Sequence, residues 1–286
     1  MPDLLIKITQ NSFLKVFFIY LDVPIRFTYS ALPGNRMKIA FRYLVLLIPP
    51  LFGPTVYAQQ DATDTGINTV EKLKITFLTG DYYIFTTYKS INGNPFPSNG
   101  MYCVTDDGVV MLDTPWDTTQ FQPLLDSIFH RHKKNVIACI ATHFHDDRTA
   151  GLEYFRSKGI KTYSSKTTFD LCTKYNDKQA EFYFIHDTLF TFANHSFQTF
   201  FPGEGHTKDN IVVWCGESRI LYGGCLVKST DNNGLGNIAD ANLDAWPATI
   251  KNVINKYPHP EYVIPGHFSW TNTNSLQHTR KLLKKK

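Results

Sequence analysis

Residues 143–147 read His-Phe-His-Asp-Asp, which sets imidazole, imidazole and carboxylate at every second position. Alternate side chains of an extended segment point the same way, so His143 and His145 are brought to one point, with Asp147 arriving as the chain turns into a helix. Asp147 alone would pass for a helix N-cap. Three further residues, His206, Cys225 and His267, each directly follow a glycine. All six are of the types that bind zinc through nitrogen, sulfur or oxygen. They suffice for two sites, one of three histidines (His143, His145, His206) and one of Asp147, Cys225 and His267. A pair of zinc ions generates hydroxide at neutral pH and polarises a carbonyl, which points to a metal-dependent hydrolase. The remaining histidines, His130, His132, His186, His195, His259 and His278, carry no such spacing and read as structural or solvated.

The surrounding pattern mixes strands and helices. Residues 70–87 alternate through Val70, Leu73, Ile75, Phe77, Tyr83 and Phe85 and predict strands of a half-buried sheet. Residues 90–100, rich in Asn, Gly, Pro and Ser, read as a loop. Residues 101–104 and 108–112 predict a hairpin about Asp106-Asp107, and 118–132 a helix with Phe121, Leu124, Leu125, Ile128 and Phe129 on one side. Residues 136–141 predict the buried strand that delivers His143–Asp147. Helices are expected over 149–158, stopped by Gly159, and over 165–175, 246–256 and 275–283. Strands are expected over 160–163, 182–201 (two or three, turning at Ala193-Asn194), 211–215, 218–222 and 262–264. This order fits an α/β fold of two sheets packed face to face with helices outside.

The formal net charge of +4 is confined to residues 1–58, which hold six basic and two acidic side chains. The rest is balanced, which argues against a nucleic-acid partner. From Met37 the chain has a positive start (Lys38, Arg42), an apolar run over 44–56, and Val56-Tyr57-Ala58 before Gln59. This is the layout of a secretory signal peptide. Pro49, Pro50 and Pro54 interrupt the run, which is short for a membrane span. The expected organisation is an upstream extension over 1–36, a signal peptide over 37–58 and a single domain over 59–286, located in the periplasm. No cysteine near Ala58 offers a lipoprotein anchor. A membrane-tethered leader using 13–21 is the rival reading. Lys284-Lys285-Lys286 reads as a frayed end. The five cysteines are odd in number and show no disulfide spacing. Cys103, Cys139 and Cys215 sit in apolar runs as buried hydrophobes, whereas Cys225 follows Tyr222-Gly223-Gly224, where backbone and ligand can approach closely.

The ordered ligand set resembles the metallo-β-lactamase superfamily over nearly all of residues 70–283, and within it the class B β-lactamases of the first subclass, the dizinc enzymes with a cysteine ligand. The resemblance implies a four-layer αββα sandwich, two mixed sheets face to face with helices on both outer faces. It implies two Zn2+ per chain, one on His143, His145 and His206 and one on Asp147, Cys225 and His267. Arg148 stands where glyoxalase II-like members have a further histidine ligand and generally no cysteine, so Arg148 with Cys225 favours the β-lactamases. Lys228 matches the lysine that binds the substrate carboxylate; a surface lysine is the alternative. Leu235-Gly236-Asn237 matches the motif whose asparagine lies beside the β-lactam carbonyl, so Asn237 is expected to act in catalysis as an oxyanion donor. Asp113, in a Leu-Asp-Thr-Pro-Trp segment that runs beneath the metals in the family, and Arg148 are expected to orient the ligands from behind. Ile91 and Phe96 match a mobile flap that closes on apolar groups of the antibiotic. Phe268 departs from the pattern, since many relatives place a small or polar residue after the last histidine.

The implied activity is hydrolysis of the β-lactam amide of penicillins, cephalosporins and carbapenems by hydroxide held at the zinc ions, with resistance to these drugs as its consequence. No Ser-x-x-Lys that would serve a serine β-lactamase is present. The expected partner is a small-molecule β-lactam bound by a monomer, with no nucleic acid and no stable membrane association after signal cleavage. Two other readings stay open: a superfamily hydrolase acting on thioesters or phosphodiesters, opposed by Arg148, Cys225 and Lys228, and a non-catalytic zinc-binding protein.

Overall fold

Side-chain alternation along one strand, β5 (Val136–Ile140), gives the fold its layers. Ala138 and Ile140 enter one hydrophobic core, while Cys139 and the following Ala141 enter another. A strand buried on both faces must have a layer on each side. The structure, a computed structural model, describes residues 73–284. The extension 1–36, the signal peptide 37–58, the leader 13–21, Val70 and residues 285–286 lie outside the described residues.

The first sheet has seven strands in chain order: β1 (Leu73–Thr79), β2 (Tyr82–Ile91), β3 (Asn94–Val104), β4 (Val109–Leu112), β5, β6 (Lys161–Ser165) and β7 (Phe182–Phe184). The second has five, ordered β12 (Tyr262–Pro265), β11 (Ile220–Gly224), β10 (Val212–Cys215), β9 (His195–Phe200) and β8 (Leu189–Phe192). Tyr82, Ile84, Met101 and Leu112 of the first meet Phe197, Val213, Tyr222 and Ile264 of the second in the central core. Outside the first sheet, α1 (Phe121–His132) and α3 (Leu152–Ser157) bury Leu124, Ile128, Leu152 and Phe155. Outside the second, α5 (Trp246–Lys256) and α6 (Ser275–Leu283) bury Trp246, Ile250, Val253 and Leu276. Each such side chain contributes about 1.5–3 kcal/mol on full burial. The architecture is the four-layer αββα sandwich expected from the sequence. Two short helices, α2 (Asp146–Thr149) and α3, stand where one helix over 149–158 was expected, and α4 (Lys166–Tyr175) is capped by Ser165, whose Oγ accepts from Thr168 N at 3.0 Å.

Two expectations are corrected. Residues 90–100 are not a loop. Strands β2 and β3 pair without a break from Tyr82↔Cys103 to Ile91↔Asn94. Asn92 and Gly93, at φ 52° and 79°, make the two-residue turn that matches the twist of a hairpin. Pro95 and Pro97 are tolerated because β4 pairs with β3 only from Met101 onward, so no strand on that side needs their missing N–H. Phe129 is 46% exposed and lies off the buried face of α1. All five cysteines are free and buried, Cys103, Cys139 and Cys215 as expected from their apolar runs. Among the described residues no helix is long and apolar enough to cross a membrane.

Strands β4 and β5 run parallel, as do β11 and β12. Their carboxyl ends release Asp113, the 143–147 segment, Cys225 and His267 at one rim, the end of a sheet where α/β folds bind ligands.

Candidate metal centre

The turn out of β5 is shaped by Asp113, itself held at φ 63° just past β4. Its carboxylate accepts from Thr142 N at 2.7 Å and from Thr142 Oγ1 at 2.9 Å. That fixes the backbone immediately before His143. His145 then ends the extended stretch (φ −60°, ψ 149°), and its carbonyl accepts from Arg148 N at 2.9 Å and Thr149 N at 3.1 Å to start α2. Asp147 therefore sits inside the first turn and is not the N-cap. His143 Nε2 lies 3.2 Å from His145 Nδ1 and 3.7 Å from an Asp147 carboxylate oxygen. The His206 ring centroid is 5.0 Å from that of His143 and 5.1 Å from that of His145.

Cys225 and His267 come from the adjacent ends of β11 and β12, where Gly266 N donates to Gly224 O at 2.8 Å. Cys225 Sγ is 3.2 Å from Asp147 Oδ2 and 3.2 Å from His267 Nε2, and His267 Nε2 is 3.1 Å from Asp147 Oδ2. A Cβ on Gly266 would stand 2.6 Å from Cys225 Sγ, so only glycine leaves the thiol its place. The ligand atoms of Asp147, Cys225 and His267 thus lie together as predicted. The three histidines converge as rings, but their ligand atoms fall into two overlapping triplets, His143/His145/Asp147 and His143/His206/Cys225.

Arg148 is fully buried and joins both sheets behind the ligands. Its Nε donates to Asp147 Oδ2 at 3.0 Å, Nη1 to Asn99 O at 2.6 Å and Asp113 Oδ2 at 3.3 Å, and Nη2 to Gly266 O at 2.8 Å. Asp113 has no hydrogen bond to these candidate ligands; its carboxylate is held by Thr142, Arg148 and Tyr222. Burial raises the Asp113 carboxyl to about 6, with Arg148 the main opposing influence. Burial likewise opposes ionisation of Asp147, but Arg148 together with His267 and His143 outweighs it and holds that carboxyl well below its usual range.

The donor set fits a bound cation. Burial holds His143, His206 and His267 below the usual imidazole range, so their rings are neutral and their lone pairs available. His206 Nδ1 is buried without a partner. Burial raises the Cys225 thiol, so a thiolate there needs a positive charge beyond those of Arg148 and Lys228. Metal ligation requires these deprotonated forms and supplies that charge.

The cluster opens into a cavity of about 390 Å³ lined by Ile91, Phe96, Lys228 and Asn237 among others, a size that holds a small molecule. Lys228 is not a surface lysine: it is 6% exposed, with Nζ 5.3 Å from the Trp246 ring centre. Asn237 is exposed, and its Oδ1 accepts from Ala239 N at 3.1 Å, leaving Nδ2 as a donor. Sequence reading missed Asp240, whose carboxylate lies 3.0 Å from His145 Nε2, and Pro97, whose carbonyl lies 2.8 Å from His267 Nδ1. It also missed Trp116 as a cavity wall, with Lys89 Nζ 4.5 Å above its ring. The one signal for Asp240 was its place three residues after Asn237 on the same cavity loop.

Residues 93–267 match the model of the metallo-beta-lactamase superfamily. The chain is 40% identical over 223 residues to the metallo-beta-lactamase type 2 of Elizabethkingia meningoseptica, covering 77% of this chain and 90% of that protein. It is 36% identical to the metallo-beta-lactamase type 2 of Bacillus cereus, covering 76% of this chain and 85% of that one. Among solved structures, a metallo-beta-lactamase from Pontibacter korlensis superposes with a TM-score of 0.73 at 36% identity, covering 75% of this chain and all of that one.

Proposed function

The chain belongs to the metallo-β-lactamase superfamily and is a zinc-dependent β-lactamase, and from that premise we propose how its own residues carry the reaction. It opens the amide bond of the β-lactam ring and thereby confers resistance to these antibiotics. Our reading assigns one zinc to His143, His145 and His206 and a second to Asp147, Cys225 and His267. When bound, zinc supplies hydroxide at neutral pH and withdraws charge from the carbonyl under attack. The observation that carries this reading is the convergence of Asp147, Cys225 and His267 within hydrogen-bond distance of one another, with Asp147 and His267 lining the cavity.

Each remaining role follows from position. Lys228 anchors the carboxylate carried by penicillins, cephalosporins and carbapenems, since a nearly buried ammonium facing the cavity gains a charge-assisted bond there. Asn237 Nδ2 donates to the carbonyl oxygen as it becomes an oxyanion. Asp147 and Cys225 would supply the negative charge, and His267 the neutral lone pair, that hold the second cation, whose charge would favour release of the amide nitrogen. Arg148, itself held by Asp113, keeps Asp147 ionised and aimed. Ile91 and Phe96 offer an apolar wall to the substrate's side group. Residues 37–58 direct export to the periplasm, and residues 59–286 work there as a monomer.

The test is hydrolysis of a chromogenic cephalosporin by purified protein, with and without chelator. Turnover that stops on chelation and returns with added zinc supports the reading. Zinc-loaded protein that cleaves a thioester or phosphodiester but no cephalosporin would refute it.

A further inference from the structure

Phe268 follows His267 with its backbone in the left-handed region, φ 61°. A bulky side chain rarely adopts this conformation, and it persists only where the surroundings impose it. Here they do. Asn99, on strand β3, donates from Nδ2 to Phe268 O at 2.8 Å and to Pro265 O at 3.0 Å, and from its backbone N to Gly266 O at 2.8 Å. The conformation throws the Phe268 ring edge-on against Phe96, with centroids 5.1 Å apart. Phe96 meets His267 and Trp116 in the same manner, at 5.1 and 6.2 Å. Phe96, Trp116 and Phe268 all line the cavity. Phe268 is only half-buried and belongs to none of the three hydrophobic cores of the described residues. Core packing therefore does not account for an aromatic residue at a strained position.

We propose that Phe268 is a positioning residue for substrate, whose ring braces Phe96 and so presents a fixed aromatic wall to the apolar side group of the β-lactam. This rests on the β-lactamase reading above. The brace acts near the tip of the β2–β3 hairpin, where Lys89 pairs with Phe96 close to the Asn92-Gly93 turn. Substrates with a large apolar side group gain from a wall held in place. Those with a small one do not reach it.

The test uses zinc-loaded Phe268→Gly, Phe268→Leu and Phe268→Tyr proteins and two cephalosporins that share nucleus and carboxylate, one acylated with acetyl and one with phenylacetyl. Glycine accepts the positive φ and removes the ring; leucine keeps apolar bulk without it. In both variants KM for the phenylacetyl compound should rise about tenfold more than for the acetyl compound, the change falling on KM rather than kcat. Phe268→Tyr should restore the wild-type ratio. Backbone amide exchange over residues 89–97 should quicken in Phe268→Gly and Phe268→Leu but not in Phe268→Tyr. An unchanged ratio, a fall in phenylacetyl KM, or unaltered exchange over 89–97 overturns the proposal. Wild-type protein that hydrolyses neither cephalosporin removes the β-lactamase reading instead, while the exchange comparison still decides whether Phe268 braces the hairpin.

Discussion

The Nδ1 nitrogen of His267 lies 2.8 Å from the carbonyl oxygen of Pro97. A carbonyl only accepts, so Nδ1 carries the proton and Nε2 turns its lone pair toward Asp147 and Cys225. Asp240 stands 3.0 Å from Nε2 of His145 and does the same for that ring, leaving Nδ1 free to face His143. Strand β3 and the loop after Asn237, both part of the cavity wall, thus also set the tautomers of His267 and His145.

Cys225→Ser keeps the size of the side chain but removes a readily formed thiolate. Zinc bound by Asp147, Cys225 and His267 should weaken, and turnover should fall while the fold is retained. Metal analysis after dialysis checks this; two zinc ions per chain with normal activity would exclude Cys225 as a ligand.

Asp240→Ala removes the acceptor behind His145 without touching a ligand. Loss of such an outer partner lowers metal affinity or activity by about 10–100-fold. Competition against a chromogenic chelator measures it, and an unaltered zinc affinity would reduce Asp240 to a surface contact.

Arg148→Ala leaves Asp113 and Asp147 buried without their shared cation. Breaking a buried pair in this way costs about 3–5 kcal/mol. Arg148→Lys should recover part of it, because an ammonium cannot reproduce the planar fork that reaches both sheets. Urea unfolding of the metal-free proteins separates this effect from zinc binding; a wild-type midpoint for Arg148→Ala would contradict it.

Lys228→Ala should raise KM by about ten- to a hundredfold for β-lactams that carry the ring carboxylate, given about 1.5–3 kcal/mol for a charged hydrogen bond. Because the contact is present before and during ring opening, kcat should change less. Zinc content should stay at the wild-type level. A variant that loses zinc, or one with unchanged KM, would show that Lys228 does not anchor the substrate.

Mature protein recovered from the periplasm should begin near Gln59, after Val56-Tyr57-Ala58. N-terminal sequencing that finds residues 1–36 intact would exclude the signal peptide.

Much of the fold was legible because local rules sufficed. Helices α5 and α6 have the bounds their apolar spacing predicted, and the His-x-His alternation did bring two rings together. What escaped depended on contacts remote in sequence. Asp240 meets His145 across 95 positions, and Pro97 meets His267 across 170, so neither pair leaves a local trace. Residues 90–100 were misread for a different reason. Asn92, Gly93, Pro95 and Pro97 are all turn-formers by propensity, yet only the first pair turns the chain, because the prolines lie where β3 has no strand on its far side. Phe129 fits the spacing of α1 but stays exposed, while Phe121, Leu124 and Ile128 make the buried face.

The continuous ladder of β2 and β3 also bears on the thermodynamics of capture. A ten-residue irregular flap would lose about 1–2 kcal/mol of backbone freedom for every residue that froze over an antibiotic. Here that ordering is completed when the protein folds, because the tip at Asn92-Gly93 is the far end of strands already paired back to Tyr82 and Cys103. A bend of this tip over the cavity would flex a lever whose root, through Tyr82, Ile84, Met101 and Cys103, lies in the central core. Bending that lever costs stiffness in place of backbone entropy, and because such a cost is enthalpic, the equilibrium of engagement should itself shift with temperature.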